Sequence, residues 1–292
     1  MRALFIGHSY IDVTFITDVI PTGDDKALGK DYAFGVGGNA MVAGFTCAKL
    51  GVQPDMLMPI AEDWLGEMLL QRCQRFGITM HPRRVKKSSL SLILPNDGKR
   101  AVVRCRDDAY LEPFAKLSLD GLQAMHTDGH QPDASLYYAR ACRERGILTS
   151  LDGGAVRPTT EELLRYIDIA VVSERFAQQL GKSFTDTIAW LQTFDCKVSA
   201  ITLGDKGIYY ALGDGPVQHM PALTVPLSAV VDSTGAGDIF HGAYIFSYVQ
   251  DPTKPWAEHF AFARAASALS VQRLGTENSI PTYAEVTALV NA

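Results

Sequence analysis

Five short runs of nearly unbroken apolar character, Ala3–Ile6, Asp55–Ile60, Leu148–Leu151, Ile167–Val172 and Val198–Leu203, alternate with stretches of helical periodicity. Those stretches are Asn39–Leu50, Leu65–Phe76, Ala134–Arg145, Thr160–Tyr166 and Asp186–Thr193. A strand apolar on both faces needs cover on each side, and a parallel connection needs a crossover long enough for a helix. The alternation therefore predicts an α/β fold, a doubly wound and mostly parallel sheet flanked by helices. At 292 residues a single core is near its practical maximum, so one domain over 1–292 with a small appendage is expected.

Two stretches break this rhythm. Ser89–Leu94, the turn Asn96-Asp97-Gly98 and Arg100–Cys105 read as a hairpin, because the turn dipeptide suits positive φ. Residues 11–20 and 29–35 read as extended pieces around the turn Pro21–Asp25. Four such strands predict a small antiparallel β sheet from about 11–35 and 87–106. It is either a lid over one end of the main sheet or an ordinary edge extension, and the pattern does not choose.

Lys plus Arg number 27 against 32 Asp plus Glu, a net charge of -5, with no block of like charge. That argues against nucleic acid or a membrane surface as partner. No run approaches the roughly 18 apolar residues of a membrane span, and the opening apolar stretch is shorter than a signal-peptide core, so a cytoplasmic protein is expected. Cys47, Cys73, Cys105, Cys142 and Cys196 are scattered, odd in number and free of C-x-x-C pairs, which reads as reduced core thiols. His126 and His130, flanked by Asp128 and Asp133, would resemble a metal site on a helix. Gly129 and Pro132 predict a loop there instead, and no zinc site.

The most informative segment is Val230–Ala243. An apolar approach leads through small residues into a helical pattern, which puts Gly235, Ala236 and Gly237 at a helix N-terminus. Unpaired N–H groups and the positive end of the helix dipole make an anion hole. Asp238 directly behind it suits a base that takes a proton from a hydroxyl attacking a bound phosphoryl group. It equally suits a first-turn carboxylate stabilised by the same dipole.

The run Asp-Ser-Thr-Gly-Ala-Gly-Asp-Ile-Phe-His-Gly-Ala over 232–243 resembles the C-terminal signature of the ribokinase-like (PfkB) carbohydrate kinases. Family order is kept by Asp12 near the end of an early strand, the Gly-Gly segment opening a helix over 35–51, Glu62-Asp63 with Gly66, and Thr202–Gly207. The resemblance implies Asp238 as catalytic base and the amides of Gly235, Ala236 and Gly237 as the phosphoryl cradle. It implies sugar contacts from Asp12, Gly38, Asn39, Asp128 and His130, with Lys26 in the lid over an acidic substituent. Arg104 and Arg106 alternate on one strand face and either join that site or are solvated edge charges. Thr202, Gly204 and Gly207 would border ATP, although the same residues read equally as a strand-to-hairpin turn. Asp232 and Thr234 match a monovalent-cation position, for K+.

Two departures stand out. Val42 replaces the Asn of the helix-opening motif, so one sugar contact is missing. Ser173 and Phe176 replace the pair of the Asn-x-x-Glu motif that organises magnesium-bound water; either Glu174 takes over or Mg2+ is held by phosphate oxygens and water.

The expected activity is ATP-dependent transfer of the γ-phosphoryl group, as a Mg2+ complex, to a primary hydroxyl of a monosaccharide, with a ketohexose or an acidic derivative preferred. A nucleoside kinase of the same fold and a non-catalytic sugar-binding protein are the alternatives. A Rossmann dehydrogenase is excluded, because Gly7-His8-Ser9-Tyr10-Ile11-Asp12 lacks the glycine fingerprint after the first strand. Open lid edges would suit a homodimer.

Overall fold

A computed structural model describes residues 1–96 and 99–291, so the turn dipeptide Asp97-Gly98 lies outside the described residues. The chain opens with β1 (Arg2–Ile6), leaves for β2 (Tyr10–Ile16) and β3 (Asp31–Gly37), and returns through α1 (Asn39–Leu50) to β4 (Gln53–Ala61), α2 (Trp64–Arg75) and β5 (Thr79–Val85). It leaves again for β6 (Leu90–Asn96) and β7 (Lys99–Cys105). Then come β8 (Leu122–Thr127), α3 (Pro132–Glu144), β9 (Leu148–Gly153), α4 (Thr160–Leu164), β10 (Ile169–Ser173), α5 (Glu174–Leu180), α6 (Phe184–Gln192), β11 (Val198–Thr202), β12 (Ile208–Leu212) and β13 (Gln218–Met220). Four helices close the chain: α7 (Ala236–Gln250), α8 (Trp256–Ser270), α9 (Thr276–Ser279) and α10 (Tyr283–Val290).

The main sheet has the order β13-β12-β11-β10-β9-β8-β1-β4-β5. It is parallel from β11 to β5, and β12 and β13 add an antiparallel edge. From β1 the chain winds one way to β4 and β5, then restarts at β8 on the other side. The carboxyl ends of β1 and β8 therefore form a topological switch point, where open α/β sheets bind ligands. Two apolar layers cover the sheet. One includes Phe45, Tyr244 and Phe260 with α1, α7 and α8; the other includes Tyr138, Leu163 and Phe176 with α3, α4 and α5.

Helix α1 is buried almost throughout its length because it lies between the sheet and α7. A Cβ on Gly242 would fall 2.2 Å from the carbonyl oxygen of Ala43, so the two backbones meet where only glycine allows it.

The second sheet has the order β3-β2-β6-β7: two antiparallel hairpins joined by a parallel β2–β6 pair. Phe15, Tyr32, Phe34 and Val103 are exposed on it. Two expectations need correcting. Cys105 ends edge strand β7 and is exposed, whereas the other four thiols are buried. His126 lies inside β8, fully buried, and the loop begins only at Asp128. Among the described residues no helix is long and apolar enough to cross a membrane, and no cluster of three or more His, Cys, Asp or Glu side chains is placed to hold a metal ion.

Candidate active site

At the switch point Asp128 ties three elements together. Its Oδ2 accepts the N–H of His8, just past β1, at 3.1 Å and that of Ala40, in the first turn of α1, at 3.3 Å. Its Oδ1 accepts from the His130 backbone at 3.0 Å and faces His130 Nδ1 at 3.1 Å. Burial alone would push the Asp128 carboxyl up, but the His130 ring and these N–H donors outweigh it and hold the group well below the usual carboxylate range.

With Nδ1–H given to Asp128, His130 Nε2 is an acceptor, and it takes Nη2 of Arg157 at 2.7 Å. Arg157, on the connection after β9, also donates Nε to the Asp128 carbonyl at 3.3 Å. No acidic side chain pairs with it among the described residues. Arg83 braces the same loop from β5: its guanidinium grips both oxygens of Asp133 at 2.7 Å and lies over the Tyr110 ring. Gln131 Nε2 donates to the carbonyls of Gly7 and Leu57, pinning the loop to β1 and β4.

His8 sits in the centre, fully buried, with Nε2 2.9 Å from Ser89 Oγ. Burial drives its pKa down to about 3; Arg106 and Arg157 add to the shift and Asp128 opposes it. Arg106 lies beyond β7 and pairs with Asp108 at 2.8 Å, while Arg104 stands over the Tyr10 ring; both residues are exposed to solvent. Lys26 is exposed on the β2–β3 connection.

Gly38 caps α1 at φ 98°, and a Cβ there would fall 2.0 Å from the His8 carbonyl oxygen. Asn39 follows, and its Nδ2 donates to Asp152 Oδ2 at the end of β9 at 2.8 Å. Asp12, on β2, is buried with its carboxylate against Gly37. Val42 is buried completely in α1.

Helix α7 begins at Ala236 with Gly235 as cap at φ 78°, and no side chain caps it. The Ala236 N–H is held weakly by the Ser233 carbonyl at 3.4 Å, and Asp238 stands in the same first turn. A Cβ on Gly235 would lie 3.6 Å from Val42 Cγ1, so the first turns of α1 and α7 are side by side. Asp232 is buried; Oδ1 accepts from Thr234 N at 2.9 Å and Oδ2 from Gly275 N at 3.2 Å.

Thr202 ends β11, Gly204 opens a single 3-10 turn and Gly207 leads into β12, a hairpin connection at the same sheet edge. Ser173 caps α5 by accepting from Phe176 N at 3.2 Å, and Phe176 is in the core, so neither replaced motif position offers a metal ligand. Glu174 occupies the first turn of α5.

Sequence reasoning overlooked His8, Asp152 and Arg157. Each lies at or just beyond the carboxyl end of a parallel strand, and that position was the available signal.

Residues 2–283 match the model of the pfkB family carbohydrate kinases. The chain is 23% identical over 297 residues to the ribokinase of Lactococcus lactis, covering 97% of this chain and 95% of that one. It is 25% identical over 303 residues to the ATP-dependent ribose-1-phosphate kinase of Halopiger xanaduensis, covering 100% and 98%. The structure of Arabidopsis thaliana ribokinase complexed with ribose and ATP superposes with a TM-score of 0.84 at 22% identity, covering 100% and 98%, which extends the likeness of fold to the whole chain. A family match of this extent, on a site with its glycine-opened helix pair in place, means that the chain belongs to the pfkB family of carbohydrate kinases.

Proposed function

We propose that the protein transfers the γ-phosphoryl group of magnesium-bound ATP to a primary hydroxyl of a monosaccharide. The observation that carries this reading is the uncapped N-terminus of α7, with Asp238 in its first turn, beside the opening of α1. Asp238 takes the hydroxyl proton as the oxygen attacks phosphorus. The amides of Gly235, Ala236 and Gly237 hold the charge on the phosphoryl oxygens.

In this reading Asp12, Gly38, Asn39, Asp128 and His130 border the sugar, and Thr202, Gly204 and Gly207 border the nucleotide. Magnesium arrives with ATP, and Glu174 is the carboxylate offered to its water shell. Asp232 and Thr234 are assigned to K+, since each Asp232 oxygen takes one backbone N–H and keeps lone pairs for a cation.

The names of the relatives point to a pentose. Arg106 and Arg157 beside His8 favour a sugar with an anionic group, such as an acidic ketohexose derivative, with Lys26 on the β2–β3 connection of the small sheet as a further cation offered to it. The chain works as one domain, with the small sheet as a lid that excludes water during transfer. Phe15, Tyr32, Phe34 and Val103 on that sheet suit a homodimer; a monomer mass in sedimentation at micromolar concentration would end that part. Free cysteines fit a cytoplasmic location.

The test is ADP release from Mg-ATP with K+ against D-ribose, ribose 1-phosphate, D-fructose, sugar acids, sugar phosphates and nucleosides, with Asp238→Asn alongside. Turnover with one sugar class that Asp238→Asn loses is expected. Turnover with nucleosides alone, or a fully active Asp238→Asn, would sink the reading.

A further inference from the structure

A buried polar chain runs from α1 through the end of β9 into α7. Asn39 Nδ2 donates to Asp152 Oδ2, and the other carboxylate oxygen faces His241 Nε2 across 3.6 Å, just beyond hydrogen-bond length. His241 Nδ1 lies 2.8 Å from the Tyr244 hydroxyl, which lies 2.7 Å from Ser150 Oγ, which in turn lies 3.0 Å from His126 Nδ1. All five residues beyond Asn39 are more than nine-tenths buried.

The proton order follows from the far end. His126 Nε2 has no hydrogen-bond partner among the described residues. Burial drives both imidazoles down to about 3, so both are neutral. A buried N–H without a partner is rarer than a bare acceptor, so the His126 proton belongs on Nδ1. His126 then donates to Ser150, Ser150 to Tyr244, and Tyr244 to His241 Nδ1, which leaves His241 Nε2–H aimed at Asp152. Asn39 arrives at the same carboxylate as a second donor. With one N–H of its amide held there, Asn39 keeps its carbonyl Oδ1 at the end of the amide remote from Asp152. Gly154 keeps the junction open: a Cβ there would fall 3.2 Å from Asn39 Nδ2 and 3.5 Å from Asp152 Oδ1.

We propose that Asp152 is a positioning residue that turns the Asn39 amide so that Oδ1 accepts from a sugar hydroxyl, and that His241 keeps this amide in register with the turn of α7 that carries Asp238. The inference rests on the sugar-contact reading of Asn39. It goes further by assigning the polarity of that contact and by linking sugar binding to the catalytic helix through a residue that touches no substrate. Burial raises the Asp152 carboxyl above its ordinary value and the Asn39 bond offsets this only in part, so its charged form depends on its donors.

The experiment is a double-mutant cycle on sugar KM, ATP KM and kcat, run with D-ribose or with whichever panel sugar gives the higher kcat/KM. Asn39→Ala and Asp152→Ala should each raise sugar KM about tenfold and leave ATP KM within about twofold, as expected for one lost charge-assisted hydrogen bond. The double variant should be no worse than either single one. Asp152→Asn still offers Asn39 an amide oxygen and should return sugar KM to within about threefold of the parent.

A merely structural Asp152 would lower kcat and leave both KM values alone, which overturns the proposal. So would multiplying effects in the double variant, or an Asp152→Asn as impaired as Asp152→Ala. If Asp152→Ala does not fold, Asp152→Ser completes the same cycle. If Asn39→Ala leaves sugar KM unchanged, or no panel sugar turns over, the sugar-contact reading fails and takes this inference with it. If Asn39→Ala raises sugar KM and Asp152→Ala does not, only this inference falls.

Discussion

The two halves of the site are built differently. Around Asp128 and His8 most polar groups are buried and already bonded to one another, His8 Nδ1 being an exception, so their orientations are largely set before any ligand arrives. On the side bordered by Gly204–Lys206 and the approach to α7, glycine and backbone dominate, and Leu227 and Val231 are exposed. One half is prepared by side chains, the other by backbone amides and a helix dipole. Preorganised side chains discriminate among small molecules through the cost of leaving a buried partner unpaired. Backbone amides serve phosphoryl oxygens of any nucleotide.

The contrast breaks if the wrong substitutions do damage. Asp238→Asn removes the proton acceptor and leaves the amide cradle, so turnover should fall by about 10²–10⁴-fold with ATP affinity close to that of the parent. Kinetics beside calorimetric ATP binding measure both; a joint loss would mean that Asp238 serves binding.

A second difference concerns pH. His8, His126 and His241 lie near 3 in the fold against an ordinary value of 6.5, all through burial first, and all belong to the Asp128 half or the buried chain that ends at Asn39. Their folded values lie below the unfolded ones, so from 6.5 down to about 3 the unfolded chain binds more protons and stability falls as pH falls. Well below pH 6.5 each ring costs about 1.4 kcal/mol per pH unit, so a loss of a few kcal/mol is expected between pH 7 and pH 5. Urea midpoints at the two pH values measure it, and equal midpoints would mean that these rings are charged in the fold.

A smaller effect, about 1–3 kcal/mol, is expected from Gly38→Ala, which forces a Cβ towards the His8 carbonyl at a positive φ. Thermal midpoint and sugar KM should both worsen while ATP KM holds. An unchanged sugar KM would erase the distinction between the halves.

Much of this was legible in the chain. Helix α1 begins and ends where its apolar spacing predicts, at Asn39 and Leu50, because Gly38 and Gly51 bound it at positive φ. The start of α7 at Ala236 is legible for the same reason, glycine before a helical pattern. Strand β8 was not, since Gln123, His126 and Thr127 interrupt its apolar run; the last two are buried because they bond to Ser150 and Ser135. Strand β5 carries Pro82 and two arginines, which an edge strand tolerates and a periodicity search rejects. The Asp152 chain is non-local, joining positions from 39 to 244, and no spacing within the sequence announces it.

The glycine contact between α1 and α7 has a consequence for how such an enzyme diversifies. Gly242 rests on the Ala43 carbonyl, so the span from the Gly38–Asn39 turn to Asp238 is set by main chain meeting main chain. Side chains on the β8–α3 loop, after β9 and on the small sheet can then be exchanged without altering that span. If Asp238 is the base proposed above, substrate choice and its reach become separately inheritable, and a lineage can trade one sugar for another without rebuilding the transfer step.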